Sequence, residues 1–294
     1  MVINSNLFFR IVVFLFLFIP SWCQAGSFDK GLLFSIERPG APVSYIYGSI
    51  HSGDPRVLAF SDKLHDTLNS TDQFMMEVKV DQSVILQSLT GMWLMDGRKL
   101  PDVVGERLYK MVVEAGEQAG MPEMTFTYMK PWVVMMLFSL PPGNYQKIVD
   151  IELMKMAASL GHRVVGLETM QEQFDVFDKM SISDQKILLE ITLKNYPLLT
   201  KQFERLFAAY LDRNLAILQQ IADEQMQQQT GATQVIERLM KRLLDDRNQR
   251  MLERMLPEIE NSANFIVVGA LHLPGETGLL NLLERQGFRV SVVE

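Results

Sequence analysis

The chain has 294 residues and a net charge of −7, from 28 Lys+Arg against 35 Asp+Glu, with no basic run; this argues against nucleic acid as a partner. Hydrophobic residues make up 48% and charged residues 21%, a globular balance that excludes wholesale disorder. A single cysteine excludes a disulfide framework and a cysteine-based zinc site.

The first 25 residues stand apart. Arg10 is their only charge, Ile11 to Ile19 is unbroken apolar sequence, and Cys23-Gln24-Ala25 offers small residues at both ends of a cleavage triplet. The pattern predicts a secretory signal peptide over 1–25 and a periplasmic or secreted mature chain of 269 residues. The apolar run is short of the roughly 20 residues a spanning helix needs, so no stable membrane span is expected once the signal is cleaved. The mature chain would carry no thiol, which suits an oxidising compartment.

Leu32–Ile36 and Val43–Tyr47 are β-prone runs with the turn signal Arg38-Pro39-Gly40 between them, and predict a hairpin. Gln73–Val78, Arg163–Leu167, Phe265–Val268 and Phe288–Val292 read as further strands. Pro101–Ala119 has apolar residues at helical spacing. Pro131 suits the first turn of a helix over Trp132–Leu140, and Asp150 reads as the N-cap of a helix over Ile151–Leu160. Ser181 and Asp184 have capping-box spacing ahead of a helix-rich stretch reaching about Glu260. Within it, the Gln-rich segment Asp223–Thr230 reads as a solvated helix end and loop. Strands alternating with helices predict an α/β fold: a central, mostly parallel sheet flanked by helices over residues 26–294, with a helix-rich cap at about 181–260.

The clearest chemical signal is an internal echo. Val43–Tyr47 runs into Gly48-Ser49-Ile50-His51, and Phe265–Val268 runs into Gly269-Ala270-Leu271-His272, each followed by a further glycine, Gly53 or Gly275. Two of the four histidines therefore share one local frame, at strand ends where open α/β sheets place ligands. Imidazoles are common metal ligands and general bases. Glu77 follows Phe74-Met75-Met76 and Glu168 follows Val164–Leu167; an acid ending a buried strand must be paired or metal-bound. Two histidines and a carboxylate make up several open metal sites. The apolar stripe Ile236, Leu239, Met240, Leu243, Leu244, Met251, Leu252, Met255 is interrupted by Arg247 and Asn248. An arginine there answers either a structural carboxylate or a substrate anion, unless the helix rotates outward. Asp54-Pro55 reads as a turn start, Lys130 as a loop charge, His65 and His162 as surface residues, and most methionines as core fillers. No serine-hydrolase elbow, phosphate loop or His-Glu-x-x-His motif is present.

Taken in order, Tyr47–His51 with Gly53-Asp54-Pro55, Glu77, Lys130-Pro131-Trp132, Gly166–Thr169, Arg247-Asn248 and Gly269–His272 with Gly275 resemble the TraB/GumN family, in a superfamily with TIKI-type proteases and erythromycin esterase-like proteins. The resemblance covers nearly the whole mature chain. It implies an α/β fold of two similar halves, with the Gly-x-x-His pair and a Glu forming the site. TIKI-type relatives are metal-dependent proteases, which implies a divalent metal, Mn or Co before Zn. Other relatives are esterases or bind haem, and GumN-type members accompany polysaccharide gene clusters.

The expectation is thus an exported, metal-dependent, peptidase-like hydrolase acting on a peptide or small molecule. His51, Glu77 and His272 would hold the metal, Glu168 would share general-base work, and Arg247 and Asn248 would position substrate or stabilise an oxyanion, brought in by closure of the helical cap. The rival expectation is a non-catalytic envelope protein that binds haem, a metal or a peptide, or assists polysaccharide export. The oligomeric state is left open.

Overall fold

A computed structural model of the chain describes residues 28–294, except 82–83, 85–89, 141–146 and 228–230. The signal-peptide expectation and the end of the Gln-rich segment lie outside the described residues. Six strands form one sheet: β1 (Leu33–Glu37), β2 (Ser44–Ser49), β3 (Gln73–Val78), β4 (Arg163–Glu168), β5 (Asn264–Gly269) and β6 (Arg289–Val292). Their order is β4-β3-β5-β2-β1-β6. The four strands β4, β3, β5 and β2 are mutually parallel, while β1 pairs antiparallel with both β2 and β6. The expected hairpin is present, with Ile36 opposite Ser44. The sheet is α/β and mostly parallel, as the alternation of elements predicts.

β5 is buried along its whole length, as is β3. A parallel strand covered on both faces needs this continuous apolar run, not alternation. Phe74 and Phe265 stack across the β3–β5 pair, centroids 6.2 Å apart.

Among the described residues, the helices are α1 (Asp62–Asn69), α2 (Leu100–Val104), α3 (Glu106–Gln118), α4 (Pro131–Phe138), α5 (Val149–Ser159), α6 (Met170–Asp178), α7 (Ile182–Asn195), α8 (Leu199–Leu211), α9 (Leu215–Gln227), α10 (Thr233–Met240), α11 (Asp246–Ile259) and α12 (Leu279–Arg285). The single helix expected over Pro101–Ala119 is two, divided at Gly105, whose φ of 87° no helix accommodates. Pro131 opens α4, every residue of which is buried. The Ser181 side chain accepts from Asp184 N–H, but the reciprocal capping box belongs to Thr169 and Glu172 at α6. The helix-rich segment between β4 and β5 is there as expected, α6 to α11.

Lys130-Pro131-Trp132 has a structural use. Asp178 at the end of α6 accepts from Lys130 Nζ at 2.7 Å and Trp132 Nε1 at 2.6 Å, and the indole stacks on Phe177. Lys130, expected as a loop charge, thus ties α4 to α6.

Candidate active site

Each of the four parallel strands delivers one ionisable side chain at its carboxyl end: His51 just beyond β2, Glu77 in β3, Glu168 closing β4 and His272 just beyond β5. The two histidine frames are not structurally equivalent. Ser49 lies opposite Gly269, so the echo is offset by one residue, and only the second frame coils into a 3₁₀ turn, Ala270–His272.

The two carboxylates meet on one cation. Arg247, fully buried, pairs through Nη2 with Glu77 Oε2, and reaches Glu168 Oε2 through Nε at 2.8 Å and Nη2 at 2.7 Å. Arg250 adds a bond from Nη1 to Glu168 Oε1 at 2.6 Å. Gln173 Nε2 spans Glu77 and Glu168 at 3.3 and 3.4 Å. Glu77 Oε1 accepts from the Gly269 backbone N–H at 2.7 Å, tying β3 to the second glycine frame. Arg247 therefore answers two carboxylates of the chain itself. A π turn over Lys241–Asp245 joins α10 to α11 directly before it, and Arg247 Nη1 donates back to Leu243 O. Such turns recur at functional sites because they shift helical phase.

Asn248, expected to position substrate, lies against His272 in this structure. Its Nδ2 donates to Thr277 O at 2.8 Å, which fixes the amide so that Oδ1 faces His272 Nδ1 at 2.6 Å. His272 Nδ1 thus carries the proton and Nε2 the lone pair, 3.9 Å from Glu77 Oε1. Each end of the Asn248 amide has one partner inside the protein. Arg247 and Asn248 are in place in this structure, with α11 packed on β4.

Burial sets the protonation states. It pushes Glu77 up to about 8, against the pull of Arg247. It opposes the Arg247 charge, but Glu168 and Glu77 outweigh it and raise that pKa. Burial lowers His51, with Asp150 opposing, and lowers His272 well below its ordinary value, helped by Arg247. Both imidazoles are therefore neutral near pH 7, the form that binds a metal or takes up a proton.

Asp150 is the residue sequence reasoning misplaced. Ile148 is the N-cap of α5, and Asp150 lies in its first turn, buried. Its Oδ1 accepts from Ser49 Oγ at 2.8 Å, and its Oδ2 lies 3.3 Å from His51 Nδ1. An acid beside a helix start looks the same in sequence whether it caps the helix or faces a strand end. Gln173 and Arg250 also went unnoticed, lying in amphipathic helices with nothing local to mark them. Asp54 is a turn residue as expected, accepting from Arg56 N–H; His65 is exposed and His162 half-buried.

Among the described residues, no three His, Cys, Asp or Glu side chains converge so as to hold a metal ion. One Glu77 oxygen accepts from the Gly269 N–H and the other pairs with Arg247. The donor chemistry, two neutral imidazoles beside carboxylates, nevertheless suits a divalent ion. A small cavity bounded by Ser49, His51, Tyr210 and Gly269–Leu271 reaches the His51 side of the cluster. A larger apolar cavity, between α4, α7 and α10, touches none of these residues. No helix among the described residues is long and apolar enough to cross a membrane.

A family model described as "TraB/PrgY/gumN family" matches residues 32–292, and the chain belongs to that family. The chain is similar to "Metalloprotease TIKI2" of Danio rerio, 22% identical over 317 residues covering 89% of this chain. It spans 61% of the length of that relative. No solved structure matches it.

Proposed function

We propose that this TraB/PrgY/gumN family member is an exported, peptidase-like hydrolase whose reaction centre is half-buried His51 with buried Glu77, Glu168, Arg247 and His272. One observation carries the reading: four adjacent parallel strands each end in an ionisable group, and the sheet's carboxyl edge gathers them around a buried arginine. Such a concentration of buried charge is costly to fold and characteristic of sites with a chemical task. The similarity to a metalloprotease supports the same reading.

His51, Glu77 and His272 would hold a divalent ion, Mn or Co before Zn, which would supply an activated water and polarise the scissile carbonyl. The chain's own residues do the rest. Asn248 holds His272 with Nε2 as its lone-pair nitrogen. Arg247 holds the two carboxylates apart from solvent and keeps positive potential beside the site. Glu77, near-neutral in its proton affinity, is suited to hold or release a proton at Oε1 or Oε2. A second reading, hydrolysis by His and Glu without metal, is favoured by the contacts Glu77 makes with Gly269 and Arg247. Export rests on the N-terminal apolar run and places the activity in the periplasm or outside the cell.

The test is elemental analysis of the mature protein after Mn, Co or Zn reconstitution, with a peptide-library cleavage assay, on the wild type and on His51→Ala/His272→Ala. Stoichiometric metal and cleavage, both lost in the double variant, are expected. Cleavage that survives metal stripping selects the second reading. Metal content and cleavage both unchanged in the double variant, or no cleavage with a haem absorption band, would overturn the proposal.

A further inference from the structure

The surroundings of His51 and His272 differ in kind but lead to the same proton placement. His272 is set by an amide, through Asn248 Oδ1 on Nδ1. His51 faces a carboxylate, with Asp150 Oδ2 3.3 Å from Nδ1. Asp150 is 5% exposed and reaches this place from α5, an element remote from β2 in sequence. Its other oxygen is anchored by Ser49 Oγ, two residues before His51 on the same chain segment. The first turn of α5 supplies a favourable potential for the carboxylate. The 3.3 Å pair is an electrostatic contact and not an aligned hydrogen bond; a carboxylate facing the bare lone pair of a neutral imidazole would be repelled, and the Nδ1–H form makes the contact attractive.

We infer that Asp150 is a positioning residue that holds His51 as its Nδ1–H tautomer, leaving Nε2 as the lone-pair nitrogen, with Ser49 fixing the carboxylate. The assignment rests on the reading of His51 as a site residue. It gives both histidines the same tautomer, by a carboxylate on one and an amide on the other, so that both can serve as Nε2 donors or bases. Partners of this kind tune ligand affinity and activity by about 10- to 100-fold.

The experiment is side-chain ¹⁵N NMR of histidine-labelled, metal-free mature protein, in which His51→Ala identifies the resonance among the four histidines. The wild-type His51 is expected to show protonated Nδ1 and unprotonated Nε2. Asp150→Ala should move it toward the Nε2–H form. Asp150→Asn, which keeps shape and an acceptor oxygen, should retain the tautomer but shift the Nδ1 proton upfield, and it serves where Asp150→Ala does not fold. A wild-type Nε2–H tautomer, or a spectrum unmoved by both variants, overturns the assignment. On any peptide the wild type cleaves, Asp150→Ala should lower kcat by about 10- to 100-fold with little change in KM, and Asp150→Asn should restore part of it. Because the tautomer is read without substrate or metal, the loss of the hydrolase reading and the loss of this assignment are separable.

Discussion

The Nδ1 of His272 lies 2.6 Å from the Oδ1 of Asn248, on α11, the last helix of the chain's long insertion. Asn248→Leu leaves a buried N–H of His272 without its acceptor. We expect a loss of about 1–3 kcal/mol in urea unfolding. Activity should fall further than stability accounts for, because the imidazole is no longer held in one tautomer.

Arg247→Met removes the cation that Glu77 and Glu168 share. The two carboxylates stay buried, with Arg250 still on Glu168, and the expected cost is about 3–5 kcal/mol in urea unfolding. Adding Glu77→Gln and Glu168→Gln should recover part of that loss, since the penalty is uncompensated charge. No recovery would mean that the arginine acts by packing.

Glu77 gives the fold a pH dependence whose sign follows from burial. Its folded pKa, about 8, lies above the ordinary 4.5, so the folded state holds the proton more tightly than the unfolded chain. Its contribution to stability therefore declines as pH rises from 4.5 to 8 and is flat above. His51 and His272, both lowered, slope the other way below their ordinary pKa, so the comparison must be wild type against Glu77→Gln. The difference in urea midpoint between the two, in metal-free protein, should move against the wild type across that window.

Gly48 is needed for space. A Cβ there would lie 2.7 Å from Leu273 Cδ1 and 3.0 Å from Ala270 Cα, on the turn that carries His272. Gly48→Ala should cost about 1–3 kcal/mol, read as a lowered Tm, and should weaken activity by displacing His272. An unchanged Tm would show that the turn yields freely. The backbone N–H of Gly269, in the second frame, serves a different end, bonding to Glu77.

Much of the candidate cluster was legible because its residues break local rules. Glu77 and Glu168 are acids ending apolar runs, and Arg247 and Asn248 are polar residues inside an apolar stripe. Such violations mark buried groups that require partners. The strands were legible for the converse reason, since parallel strands covered on both faces demand uninterrupted apolar runs.

Which partner each group meets was decided elsewhere. Arg247 lies 79 residues from Glu168 and 170 from Glu77, and nothing local states that one guanidinium serves both. Asp150 lies 101 residues from Ser49, and its sequence neighbourhood is that of a helix cap. The order β4-β3-β5-β2 brings the four strand ends together, and the phase of α11 after its π turn decides which side chains enter. The sequence by itself marked Glu77, Glu168, Arg247 and Asn248 as polar groups on apolar faces, because local hydrophobic pattern governs burial; it did not mark Asp150. Only the tertiary structure decided their pairing, proton positions and common site, because those depend on strand order and helix phase, to which short-range pattern is blind.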